Sequence, residues 1–250
     1  MKSVRLEKDG PVRHIVLAAP KRRNALSAQM LDELAEAVAR VATDDAARAL
    51  IIRAEGKAFC AGADIHSLFG DLNRPTAEIR DDLKGIYASF LGVADLPIPT
   101  IAAVNGVAVG AGINIALACD IVIAGRNAQF AVTFADIGLH PGGGASWFLT
   151  RRMGADRALA AIIAAETIEA EDALRHGLVT RVVDDPVEEA TILAHQAASR
   201  DPGLIRDAKR AVQIAETSEL PEVLEFESWA QAATVGRPDF AEFVERFTKR

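Results

Sequence analysis

Cysteine is scarce in this chain: Cys60 and Cys119 are the only two among 250 residues. Two cysteines build no disulfide framework, and such usage suits a reducing compartment. Positive charge is also short, with 28 Lys and Arg against 35 Asp and Glu and a formal charge of −7. That balance argues against nucleic acid or an anionic membrane as the main partner. The one basic cluster, Lys21-Arg22-Arg23, reads either as a solvated turn or as a place to meet a phosphate. No apolar run approaches, uninterrupted, the ~20 residues of a membrane-spanning helix. The opening MKSVRLEKDG has no apolar signal core, so a cytoplasmic location away from membranes is expected. The five histidines show no ligand spacing such as H-x-x-x-H, and no metal is expected.

Nucleotide-binding motifs are missing as well. Residues 101–120, IAAVNGVAVGAGINIALACD, invite the comparison because the rest of the chain is arranged around them. A dinucleotide fingerprint needs a third glycine where Ile115 stands, and a P-loop needs a lysine that this stretch lacks. What is present is an apolar strand over 101–104, a break at Asn105-Gly106, and Gly110-Ala111-Gly112 leading into an apolar helix that ends near Cys119. A strand feeding a small-residue turn and a helix start aims backbone N–H groups at one point. That point suits a phosphate, a carboxylate, or a carbonyl oxygen that becomes negative in a transition state. Close packing of a buried helix is the alternative reading. A second turn of the same kind, AFCAGADI over residues 58–65, follows a short strand at 49–52.

Half of the residues are apolar, enough for one large domain or a domain with an appendage. Residues 4–6 and 14–17 predict a hairpin, and Ser27 predicts the cap of a helix reaching about residue 41. Further helices are expected over 76–93, 146–153, 155–164 and 170–176, with strands over 120–124, 128–132 and 178–183. Residues 137–144, IGLHPGGG, form a loop. From Pro186 onward the pattern is helical: 187–199, 202–215, 221–234 and 240–247. This predicts an α/β core over residues 1–185 and a helical region over 186–250. No self-repeat is evident.

Two glycine-rich turns, each after a strand, are what a two-donor oxyanion hole requires. Phe59-Cys-Ala-Gly-Ala-Asp-Ile65, Ala103-Val-Asn-Gly-Val-Ala-Val-Gly-Ala-Gly112 and Ala118-Cys-Asp-Ile121 resemble the crotonase (enoyl-CoA hydratase/isomerase) superfamily. Arg23-Asn-Ala-Leu26, Ile137-Gly-Leu139 with Pro141, and Ala173 followed by Gly177-Leu-Val179 extend the resemblance along the chain. It implies a ββα spiral core for acyl-CoA binding, and a helical C-terminal region for trimerisation and for a lid. It further implies a homotrimer or dimer of trimers, a role in fatty-acid metabolism, and coenzyme A as part of the substrate with no separate cofactor. By the same resemblance, the oxyanion-hole donors are the backbone N–H groups of Ala63 and Ala111. Ala25, Ala61, Gly62, Asp64, Ile65, Val109 and Gly110 would lie along the CoA path. Arg22 and Arg23 would meet its phosphates, with Arg246 or Lys249 as a further basic contact.

The chain departs from the hydratase pattern at both catalytic glutamates. Their positions hold Asn114 and Phe134. Asparagine accepts no proton usefully and phenylalanine does no acid–base work, so two-glutamate hydration is not expected. Asp136 would share Phe134's face in an extended segment. His140 follows in the loop, and histidine is the side chain suited to proton exchange near neutral pH. Family members acting on ring-derived acyl-CoAs place an acid where this chain has Gly142. Cys60 makes a poor nucleophile without a neighbouring histidine, and Trp147, just after the glycine loop, is expected to pack, with lining the acyl pocket as the alternative. Two main functions remain: an isomerase or lyase that stabilises a thioester enolate, and a non-catalytic acyl-CoA-binding protein of the same fold. A purely structural oligomer is the third, and it would not need the two turns.

Overall fold

The computed structural model describes residues 2–68, 70 and 73–248. It divides into two units between Ala198 and Ser199. The first begins with an antiparallel hairpin, β1 (Val4–Asp9) and β2 (Val12–Leu17). Helix α1 (Ala28–Ala42) follows, started by Ser27, whose Oγ accepts the Met30 N–H at 3.3 Å. Its buried residues Leu31, Leu34, Val38 and Val41 recur at helical spacing and face the core.

A three-part pattern then repeats, with one strand in a large sheet, one short strand in a small sheet, and a helical segment. The first round is β3 (Ala49–Ala54), β4 (Ala58–Cys60) and the helices α2 (Ile65–Leu68) and α3 (Thr76–Leu91). The second is β5 (Thr100–Val104), β6 (Val107–Val109) and α4 (Ala111–Leu117). The third is β7 (Ile121–Gly125), β8 (Gln129–Ala131), a 3-10 turn (Ala135–Ile137) and α5 (Ala145–Met153). Next come α6 (Ala155–Ile163), β9 (Thr167–Glu169), α7 (Ala170–Arg175), β10 (Arg181–Val183) and α8 (Pro186–Ala198). The large sheet runs β1-β2-β3-β5-β7-β10 and the small one β4-β6-β8-β9. All neighbours are parallel except β1 with β2 and β8 with β9.

The large sheet is covered on both faces, which is why its central strands are uninterrupted apolar runs. Leu50, Ile52, Ala102 and Val104 join the main core with α1. Ala49, Ile51, Ile101 and Ala103 point the other way, against Ala190 and Ala194 of α8. Helix α8 therefore completes the first unit, and the division falls one helix later than the expected 185/186. Strands β4, β6 and β9, of three residues each, are additions to the sequence reading, β4 opening the segment read as a turn over 58–65, and the strand expected at 178–183 is confined to Arg181–Val183. So short a strand carries too few alternations to register as a period of two.

The second unit holds α9 (Pro202–Ala215), α10 (Leu220–Val235) and α11 (Pro238–Thr248). Asp201 caps α9 by accepting the Leu204 N–H at 2.7 Å, and it also pairs with Arg237. Phe240, Phe243 and Phe247 stack along α11 and remain exposed. Among the described residues, no helix is long and apolar enough to cross a membrane.

Candidate active site

Both small-residue bends leave the same end of two adjacent strands, because β4 and β6 pair in parallel. Gly112 lets them approach. A methyl group there would lie 2.4 Å from the Cys60 carbonyl oxygen and 2.9 Å from its Cβ, closer than any side chain fits. Ala63 forms an isolated parallel bridge with Leu26. In it the Leu26 N–H donates to Gly62 O at 2.8 Å and the Asp64 N–H to Leu26 O at 3.0 Å. Those bonds use the residues flanking Ala63, so strand alternation turns the N–H of Ala63 to the opposite side. Ala111 opens α4, where a first-turn N–H has no preceding helical carbonyl and the helix end is partly positive.

Ala63 and Ala111 line one cavity of about 460 Å³. The lining also takes in Ala61, Gly62 and Ile65 from the first bend, and Val109, Gly110 and Asn114 from the second. Phe134 lies 3.7 Å from where a methyl on Gly110 would sit, and forms part of the same wall. Helix α3 adds Leu83, Ile86, Tyr87 and Phe90 to the lining, and the glycine loop adds His140 to Gly143.

Asn114 is buried, and its Nδ2 donates to the Gly142 carbonyl at 2.8 Å. Its Oδ1 is buried with no protein partner. A carboxylate in the same place could not donate, so this position now ties the glycine loop to α4. His140 Nδ1 is 2.8 Å from the Pro141 carbonyl, an atom that only accepts; Nδ1 therefore carries the proton, and Nε2 keeps the lone pair in the neutral ring.

Asp136 is a correction to the sequence reading. The segment after Phe134 turns as a 3-10 helix rather than running extended, and Asp136 is exposed and not part of the cavity lining. Trp147 is a second correction. It is 55% exposed, edge-on to Phe148 at 5.0 Å, with the Arg151 guanidinium 4.5 Å above its ring. Cys60 is fully buried, and that burial pushes its thiol up to about 12, where it stays protonated and unreactive.

Arg22 and Asp64 form an ion pair beside the first bend, outside the cavity lining. Arg23 is exposed and holds a left-handed backbone with φ 51°. Its carbonyl accepts the Ala61 N–H at 2.9 Å, and half-buried Ala25 follows in the strip beside residues 61–64. Arg246 is exposed on α11 with its Nε donating to the Glu242 carbonyl, and Lys249 lies outside the described residues. Tyr87, the one tyrosine of the chain, was absent from the sequence reading. Its signal was available: Leu83, Ile86, Tyr87 and Phe90 share one face of a predicted helix.

Fold and site together define a class. The chain belongs to the enoyl-CoA hydratase/isomerase family, an enzymatic one, whose family model matches residues 7–250. Among its relatives is a Mycobacterium tuberculosis protein named "Probable enoyl-CoA hydratase EchA14", 41% identical over 95% of this chain and 94% of that protein. The 1,2-epoxyphenylacetyl-CoA isomerase of Escherichia coli is 35% identical, over 93% of this chain and 90% of the isomerase. A crystal structure of a "putative Enoyl-CoA hydratase/isomerase" from Mycobacterium abscessus superposes with a TM-score of 0.91 at 33% identity, covering 98% and 96% of the two chains. These relatives share the crotonase fold that the strand–strand–helix spiral displays.

Proposed function

We propose that this chain binds acyl-CoA thioesters and stabilises the enolate form of the thioester with the N–H groups of Ala63 and Ala111. One observation carries the reading: both bends face a single apolar cavity, each with a backbone N–H left over from strand or helix bonding. A donor of that kind is worth about 3–4 kcal/mol to an oxyanion in acyl-transfer sites. Asn114 and Phe134 replace the proton-carrying pair of the hydratases, and isomerase-type proton transfer fits the site better than addition of water. His140 lines the cavity and is the proton carrier favoured over Asp136. The bound ligand would reach past Ala25, Asp64 and Ile65 toward Arg22 and Arg23. The helical C-terminal region is assigned to assembly as a homotrimer or dimer of trimers, and a single-chain mass in solution would remove that part.

Calorimetry with hexanoyl-CoA, paired with absorbance assays on crotonyl-CoA and 3-hexenoyl-CoA, tests the reading. Binding is expected, with shift of the 3-enoyl double bond and no hydration of crotonyl-CoA. Absence of binding defeats the acyl-CoA assignment. Fast hydration defeats the argument from Asn114 and Phe134. Among its described residues the cavity lining contains no carboxylate, and this favours a second reading, a binder without chemistry. Binding without turnover of either substrate would select it.

A further inference from the structure

Enolate chemistry at carbon needs one group to take a proton and another, or the same, to return it. The polar side chains lining the cavity are Asn114, Thr133, Tyr87 and His140. Asn114 is committed to the Gly142 carbonyl, and an aliphatic alcohol such as Thr133 is too weak an acid. Tyr87 and His140 remain. The place of Tyr87 is specific: a methyl built on Gly142 would lie 2.3 Å from its hydroxyl oxygen and 3.2 Å from the ring carbon bearing it. The phenol thus occupies the volume that a side chain at position 142 would take, and any larger residue there would have to push the hydroxyl aside. The hydroxyl lies against the glycine loop at Gly142, two residues along the chain from His140, and Tyr87 and His140 both line the cavity.

Resting on the acyl-CoA reading above, we propose that Tyr87 is the proton donor of this site and works with His140 as the base. His140 Nε2 takes the proton from the α carbon of a 3-enoyl thioester. The C–H electron pair then delocalises into a dienolate, whose oxygen is held by the Ala63 and Ala111 N–H groups. The Tyr87 O–H delivers a proton to the γ carbon, the electrons settle as the α,β double bond, and the phenolate is left. It regains a proton from the imidazolium, which resets both groups without a co-reactant.

Tyr87→Phe removes only the hydroxyl. The expected result is loss of at least about a hundredfold in turnover of 3-hexenoyl-CoA, the scale of positioned acid catalysis. Affinity for hexanoyl-CoA by calorimetry should stay within about threefold. Tyr87→Ala with Gly142→Asp places a carboxyl group in the vacated volume, and should run at least about tenfold faster than Tyr87→Ala alone. Full turnover by a Tyr87→Phe protein that binds hexanoyl-CoA normally overturns the inference. So does a wild-type protein that binds hexanoyl-CoA but neither shifts the double bond nor exchanges α protons in D2O. Failure of the wild type to bind at all would instead strike the acyl-CoA reading itself.

Discussion

Asn24 adopts a left-handed backbone, φ 55°, while fully buried between the first turn and the first bend of the site. Its Oδ1 accepts the Ala19 N–H at 2.8 Å, and its Nδ2 donates to the carbonyls of Glu55 at 3.0 Å and Ala58 at 2.9 Å. One side chain thereby holds residues 19–26 against β3 and β4, and with them the carbonyl of Leu26 that anchors the Ala63 bend. Asn24→Ala strands buried backbone groups and keeps an unfavourable φ, so a loss of about 2–4 kcal/mol is expected in urea unfolding. A loss below about 1 kcal/mol would show that the network is dispensable. The motif around Asn24 was legible in the sequence. Its reason was not, since the three partners lie up to 34 residues away.

Among the elements, the meeting of β4 with α4 decides whether the two bends can serve one ligand. Gly112→Ala forces a methyl against the Cys60 backbone, and backbone cannot swing aside as a long side chain can. The expected cost is about 1–3 kcal/mol in stability, with hexanoyl-CoA affinity down at least about tenfold. Gly85 supplies the control. It lies inside α3 with nothing within 4 Å of the added methyl, so Gly85→Ala should gain about 0.5–1 kcal/mol from helix propensity and leave affinity alone. Equal effects from the two substitutions would defeat the close-approach argument. The helices were readable from their 3.6-residue apolar spacing, as α1 shows. Asp136 was misplaced because an apolar stretch after a strand was continued as strand, whereas the chain turns at once.

For the whole molecule, stability should depend on pH through His14. This side chain is buried on β2, and burial, followed by the Arg53 charge, holds its pKa below the usual imidazole value; Asp9 and Glu7 oppose that shift and His195 adds to it. The sign follows from proton counting. Below about pH 6.5 the unfolded chain binds a proton that the native state resists, so stability falls with pH from there down to the lower native value. Urea midpoints at pH 7.5 and 5.5 should therefore differ more for the wild type than for His14→Gln. Identical differences in the two proteins would remove His14 as the cause.

Sequence alone determined the alternation of strands and helices, the two small-residue bends and the presence of Asn114 and Phe134 after the second of them, because each is a local pattern of residue type and spacing. Only the tertiary structure decided that α8 belongs to the sheet, that Trp147 faces outward, and that Tyr87 fills the space beside Gly142. Those facts depend on which surfaces meet across dozens of residues, and no local period records such a meeting.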